Sequence, residues 1–291
     1  MLSVREKNTP TRSRWSALAA PLIWAVALSV AGCASVEKRL SPSLFRDWVP
    51  EQAVLPTVET NGQKLTVHNV RNCKYFANDV YMVDYYDKTV DLSRVRGVDY
   101  IVVPFEGAPA LAHVFLSFQI EGPDGKPDHL AVSVETRKEK DEKYNPVKGS
   151  INQYELIYVV ADERDVIQYR TVYNGEQVYL YHTTASPEAS QALFTDVMNR
   201  VNLLAQRPEF YDTLTNNCTS NIVHHVNRIK PSRIVADYRA LLPGYSDRLA
   251  YDEGLIERHG TFEQTKELAY INPIAQRYAG RDDFSELIRQ R

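Results

Sequence analysis

Cysteine, methionine and tryptophan are scarce, three of each in 291 residues, and the chain holds no internal repeat or low-complexity tract. So few cysteines, widely spaced, exclude a disulfide framework and a cysteine-rich zinc module. The absence of repeats excludes a solenoid, and a composition 44% hydrophobic and 24% charged excludes a disordered chain. There is no Gly-x-Ser-x-Gly elbow for a serine hydrolase, and no basic tract to support nucleic-acid binding. The seven histidines are scattered, and the adjacent pair His224-His225 points to different helix faces, so neither a metal nor another cofactor is expected. What remains is a single globular domain with 18 tyrosines and enough apolar residues for a sizeable core.

The first 33 residues read differently. Arg5, Lys7, Arg12 and Arg14 precede an apolar run from Leu18 to Val30, broken only by Pro21 and Ser29, which is short for a membrane span and suits a signal peptide. It ends Val30-Ala31-Gly32-Cys33, which looks like a bacterial lipobox, so Cys33 is expected to be acylated and to become the first mature residue. Ala34 at the next position is similar to lipoproteins sorted to the outer membrane of Gram-negative bacteria. Loss of four basic residues and one acidic one leaves 30 against 36, a net charge of −6. Residues 34–56, with Ser-Pro, Val-Pro and Leu-Pro pairs, read as a tether, and 57–291 as one domain.

Within that domain, Phe210–Asn221 places a cysteine where a helix should begin. Asn216 or Asn217 can cap the helix, and Ile222, Val226 and Ile229 recur at helical spacing with Cys218 on the same buried face. A thiol there faces the positive end of the helix dipole and unpaired N–H groups, which favour a thiolate and can hold an oxyanion. The plainer reading is a small buried cysteine that packs. His224 and His225 lie about 9–10 Å further along the same axis, so a base must come from another element. The other mature cysteine, Cys73, could bridge Cys218; a reduced, packed Cys73 is expected instead.

Strands are predicted at Lys64–Val70, Tyr100–Phe105, Ala112–Phe118, Leu130–Arg137, Tyr154–Ala161, Asp165–Tyr173 and Gln177–His182, and helices after Ser186-Pro187, at Cys218 and from about Thr261. The architecture is therefore α+β, an antiparallel sheet with helices packed on it and mostly late in the chain. Alternation puts Ala112, Val114, Leu116 and Phe118 on one face and His113, Phe115 and Ser117 on the other. A turn centred on Asp124 would set His113 across from Glu135; a shifted register would set it across from Arg137 or Ser133.

Asn69-Val70-Arg71, Ala112–Phe118, Ser133–Arg137, Asp162–Asp165, Phe210–Thr219 and Leu242–Tyr245, in that order, resemble the Lnb N-terminal periplasmic domain family over about residues 60–256. That family is similar to permuted papain-like thiol enzymes of the NlpC and lecithin:retinol acyltransferase type, in which the histidine strand precedes the cysteine helix. The resemblance implies Cys218 as nucleophile, His113 as its base and Glu135 as the group orienting the imidazole, with Glu139 and Glu163 as alternative carboxylates. The backbone N–H of Cys218 and the Asn217 side chain would form the oxyanion hole. The family's named member is a lipoprotein N-acyltransferase, so the expected partners are a membrane, reached through the lipid on Cys33, and a lipid, lipoprotein or peptide substrate. The expected activity is acyl transfer, with peptide or peptidoglycan cleavage and non-catalytic binding as alternatives. No hydrophobic span follows the domain, so anchoring is expected to rest on Cys33 alone.

Overall fold

A computed structural model describes residues 41–122, 125–142, 153–235 and 237–290. Cys33, the leader and residues 34–40 of the expected tether lie outside the described residues. The strands are β1 (Thr57–Asn61), β2 (Lys64–Arg71), β3 (Lys74–Ala77), β4 (Val80–Met82), β5 (Tyr85–Asp91), β6 (Val95–Phe105), β7 (Ala108–Glu121), β8 (Pro127–Arg137), β9 (Tyr154–Asp162), β10 (Tyr179–His182) and β11 (Phe210–Tyr211). Nine of them form one sheet in the order β1-β2-β9-β8-β7-β6-β10, with β5 on β2 and β11 on β9; β3 and β4 pair separately. All pairings are antiparallel except a single parallel bridge, Arg71 to Ala161. The fold is the α+β class the sequence predicts.

The central strands are covered on both faces, which is why β9 is apolar almost throughout and Tyr100–Val103 is a continuous buried run. On one face Val114, Leu116 and Phe118 pack against Leu193, Phe194 and Val197 of α1 (Pro187–Gln206) and Ile222 of α2 (Cys218–Ile229). On the other, Ile101, Phe115, Ile157 and Val159 meet Val166 and Ile167 and the C-terminal residues Ile271, Phe284 and Ile288. Ser186 caps α1 with Pro187 in its first turn, as expected from the Ser-Pro pair. Arg289 reaches inward from the C-terminus to Asp99 and Glu163.

Two expectations differ. Asp165–Tyr173, predicted as a strand, lies in a π-helix, Arg164–Tyr173. Its β-branched Val166, Ile167, Thr171 and Val172 favour a strand locally, but burial of Val166, Ile167 and Thr171 against the sheet puts one face inward at a spacing of four to five residues. The Asn174 N–H donates to Tyr169 O five residues back, and Thr171 Oγ1 donates to Ile167 O. The segment expected as a tether is, over 42–56, part of the compact unit. Trp48 is buried under the Arg137 guanidinium, which donates to the carbonyls of Gln52 and Ala53.

Candidate functional site

Asn217 caps α2, accepting from the Ser220 N–H through its side chain while its own N–H donates to Ser220 Oγ, each at 2.8 Å. Its amide also donates to Thr213 O at 2.7 Å. The side chain thus holds the turn through its oxygen and one of its two amide N–H donors. Cys218 opens the helix at 3% exposure, its sulfur 4.0 Å from Ala112 O. Burial pushes the thiol up from its ordinary value, and the N–H groups of Val114, Thr219 and Cys218 itself, directed at the sulfur, only partly oppose this.

Beside the thiol, residues of α2 that follow it open onto an apolar cavity of about 330 Å³, near the lower end of the roughly 300–1,000 Å³ usual for ligand pockets. Leu116, Leu193, Ile222, Val226 and Leu249 line it, together with Lys230 and Arg233. Tyr100 contributes its ring and donates its hydroxyl proton to Ser246 Oγ at 2.6 Å, leaving little polar surface inside.

His113 stands elsewhere. It stacks on Phe115, on the sheet face opposite the one that carries Ala112, Val114 and Cys218. The register runs from Phe115↔Ser133 to Glu121↔Pro127, which is the pairing a turn centred on position 124 requires; 123–124 are outside the described residues. His113 therefore reaches the Glu135 end of β8 as expected, and Ser133 Oγ stands between them, 2.7 Å from His113 Nε2 and donating to Glu135 Oε1 at 2.8 Å. With the serine proton spent on the carboxylate, His113 donates from Nε2. The direct His113–Glu135 distance is 3.8 Å.

Around this trio the charges are dense. Arg170, delivered by the π-helix, lies 3.5 Å from Glu135, and Gln52 donates to the other carboxylate oxygen. Arg71 makes a bidentate pair with buried Asp165, which also accepts from the Cys73 N–H. Burial opposes ionisation of Glu135, but Arg170, then His113 and Arg71, outweigh it and hold the carboxyl down at about 2. Burial, with Arg170 beside it, pulls His113 down to about 4.

The structure thus brings together His113 and Glu135, adds Ser133, Arg71 and Arg170, and packs Cys218 in the other hydrophobic cluster, with Ala112 and Val114. Alternation seats the His113 side chain beside Phe115, while the Cys218 sulfur lies against the main chain of the two neighbours of His113, Ala112 and Val114. Arg71 and Ser133 lay within the motifs already singled out; Arg170 gave no signal once its segment was read as a strand. The alternatives Glu139 and Glu163 are engaged, Glu139 with Arg46 and Glu163 with Ser117 and Arg289. On α2, His225 is locked between Asp196 and Tyr158 at 2.7 and 2.8 Å. Cys73 and Cys218 are both free, with no bridge between them. Among the described residues no group of three or more His, Cys, Asp or Glu is placed to hold a metal.

No curated protein and no solved structure matches the chain. No helix among the described residues is long and apolar enough to cross a membrane. A family match covers residues 81–244, from β4 to Gly244 in the 3-10 turn Pro243–Tyr245, and so includes His113, Glu135, Asn217, Cys218 and much of the cavity wall. By that match the chain belongs to the Lnb N-terminal periplasmic domain family.

Proposed function

We propose that this periplasmic domain, held at the outer membrane by a lipid on Cys33, takes the acyl chain of an envelope lipid or lipoprotein into the apolar cavity and accepts the acyl group on Cys218. The observation that carries this reading is the cavity itself, walled by Ile222 and Val226 one and two turns beyond the thiol. In the reaction the sulfur attacks the ester carbonyl, a C–S bond forms, the C–O bond breaks, and the thiol proton leaves with the alcohol. An amine then attacks the thioester, forming C–N, breaking C–S and returning a proton to the sulfur. The N–H groups of Val114 and Thr219 near the sulfur are suited to the developing negative charge. A peptide or peptidoglycan substrate fits less well, since the cavity offers few polar partners.

A second reading, acyl binding without turnover, is favoured by one observation: the thiol is buried, and that burial pushes it up from its ordinary value. Intact-mass measurement after incubation with a diacylated lipopeptide and acid quench separates the two. An added acyl mass, released by hydroxylamine and absent from Cys218→Ala, is expected. Saturable fatty-acid binding with no adduct would establish the binding module instead, and neither adduct nor binding would end both readings.

A further inference from the structure

Just outside the cavity the surface changes character. Val235 is 69% exposed, Tyr238 66%, Leu241 51% and Tyr245 40%, while Ile234, Ala240 and Leu249 beneath them are buried and Ile234 and Leu249 line the cavity. Tyr238 and Leu241 share one face of the short helix α3 (Tyr238–Leu241). Exposed apolar side chains gathered in this way mark an interaction surface. Tyrosines and a lysine around aliphatic residues are the composition of a membrane-interface patch, where an amphipathic ring sits at headgroup level. Arg233 and Arg239 are paired with Glu253 and with Asp237 and Asp252, which leaves Lys230, exposed at the rim, as the cation offered to a headgroup.

The direction of the chain points the same way. Ser43 donates its N–H to Glu155 at the first end of β9, and Glu155 pairs with Arg137 of β8. The β7–β8 register carries that same end of the sheet to the start of β7, where the Pro109 backbone lies so close to Gly244 that a Cβ there would stand 2.0 Å from Pro109 O. The chain therefore enters the domain at the end of the sheet where Gly244 and Tyr245 sit, two strands or about 10 Å across. Eight residues lie between Cys33 and Pro42, and the nine steps they span reach at most about 30 Å. A second exposed apolar set, Phe76, Val80 and Met82 on the β3–β4 hairpin, follows Arg71, which pairs with Ala161 near the other end of β9.

We propose that Val235, Tyr238, Leu241 and Tyr245, with Lys230, form a docking surface for a phospholipid bilayer, so that an acyl chain passes from the membrane into the cavity without crossing water. This rests on the acyl reading of the cavity, and the test keeps the two apart. The full lipidated chain is reconstituted in vesicles of phosphatidylethanolamine and phosphatidylglycerol carrying a photoactivatable phospholipid, and cross-linked peptides are mapped by mass spectrometry. Cross-links are expected on residues 235–245 and not on 76–82. The triple variant Val235→Ser, Tyr238→Ser, Leu241→Ser should lower their yield at least about tenfold, from the apolar area withdrawn, with an unchanged thermal melt.

Binding of a dansyl fatty acid, read separately, should survive in that variant and fail in Ala189→Trp, which fills the cavity wall but leaves the patch intact. Phospholipid cross-links spread equally over 76–82, or none on 235–245, overturn the docking surface alone. Protein–protein cross-links through 235–245 would assign the patch to a second copy and overturn it too. Loss of fatty-acid binding from the unaltered chain, with lipid cross-links kept, would overturn the acyl reading and leave the docking surface standing.

Discussion

The two faces of the central sheet have opposite chemistries. On the cavity face Cys218 lies among Ala112, Val114, Leu116 and Tyr100, its thiol met by backbone N–H groups and the Thr219 hydroxyl rather than by a charged group. On the other face His113, Ser133 and Glu135 sit among Arg71, Asp165 and Arg170, every charge compensated by a neighbour. One face can receive an apolar ligand; the other is an ionic lock that ties β2, β8, the π-helix and Gln52 of the entering segment together. Cys218 and His113, 105 positions apart in the chain, thus sit in surroundings of opposite character.

The comparison breaks most easily at Arg71. Arg71→Met would leave Asp165, wholly buried, without its partner and should cost about 3–5 kcal/mol in a denaturant melt. Cys218→Ala, which removes one buried sulfur from an apolar wall, should cost less than about 2 kcal/mol. Equal losses would mean that the ionic face is not what holds the fold. Asp165→Asn in the Arg71→Met background should recover part of the loss.

Acid should separate the faces next. His113 is held at about 4 against an ordinary 6.5, so its contribution is complete above pH 6.5 and is lost as pH falls toward 4. Glu135 and Glu163 are each held at about 2 against 4.5, so theirs is present above 4.5 and lost as pH falls through about 2. Stability should therefore decline on acidification in two stages, and Glu135→Gln should shrink the lower one. A pH-stability curve that Glu135→Gln leaves unchanged would show that the carboxylate is not paired in solution.

The thiol gives the next test. Because burial raises it, alkylation of Cys218 by iodoacetamide should be slower at pH 7 than for an exposed cysteine and should climb past pH 9 with no plateau near 6.5. His113→Ala should shift that profile by no more than about twofold, whereas a general base lost from its own thiol would cost roughly 10²–10⁴ in rate. A plateau abolished by His113→Ala would bring the two residues to the same face. Least affected of all should be Cys73→Ala, at about 1 kcal/mol with acyl-enzyme formation unchanged, since Cys73 is free and belongs to the Asp165 side.

Periodicity, caps and turns are local, and they were readable. Alternation over 112–118 assigned each side chain to the correct face; Ser186-Pro187 and the Asn216-Asn217 pair marked helix starts, and the turn at 122–127 marked a hairpin whose register only the structure chose. The π-helix was not readable, because Val166, Ile167, Thr171 and Val172 have the local preference of a strand and are overridden by packing on the sheet. Nor was the burial of Trp48, since nothing in a proline-rich segment announces that Arg137 awaits it.

By itself the sequence determined that His113 shares a face with Phe115, that Cys218 opens a helix, and that strand precedes helix. Only the tertiary structure decided which face that helix covers. A strand with apolar residues on both sides accepts a helix on either, and the choice is made by the long-range fit of α1, α2, the π-helix and the C-terminal helices around one sheet. The same fit decided that Arg170 would reach Glu135 and that the residues beyond Cys218 would enclose a cavity. Neither outcome is encoded within a single element, because each depends on where two distant segments are packed together.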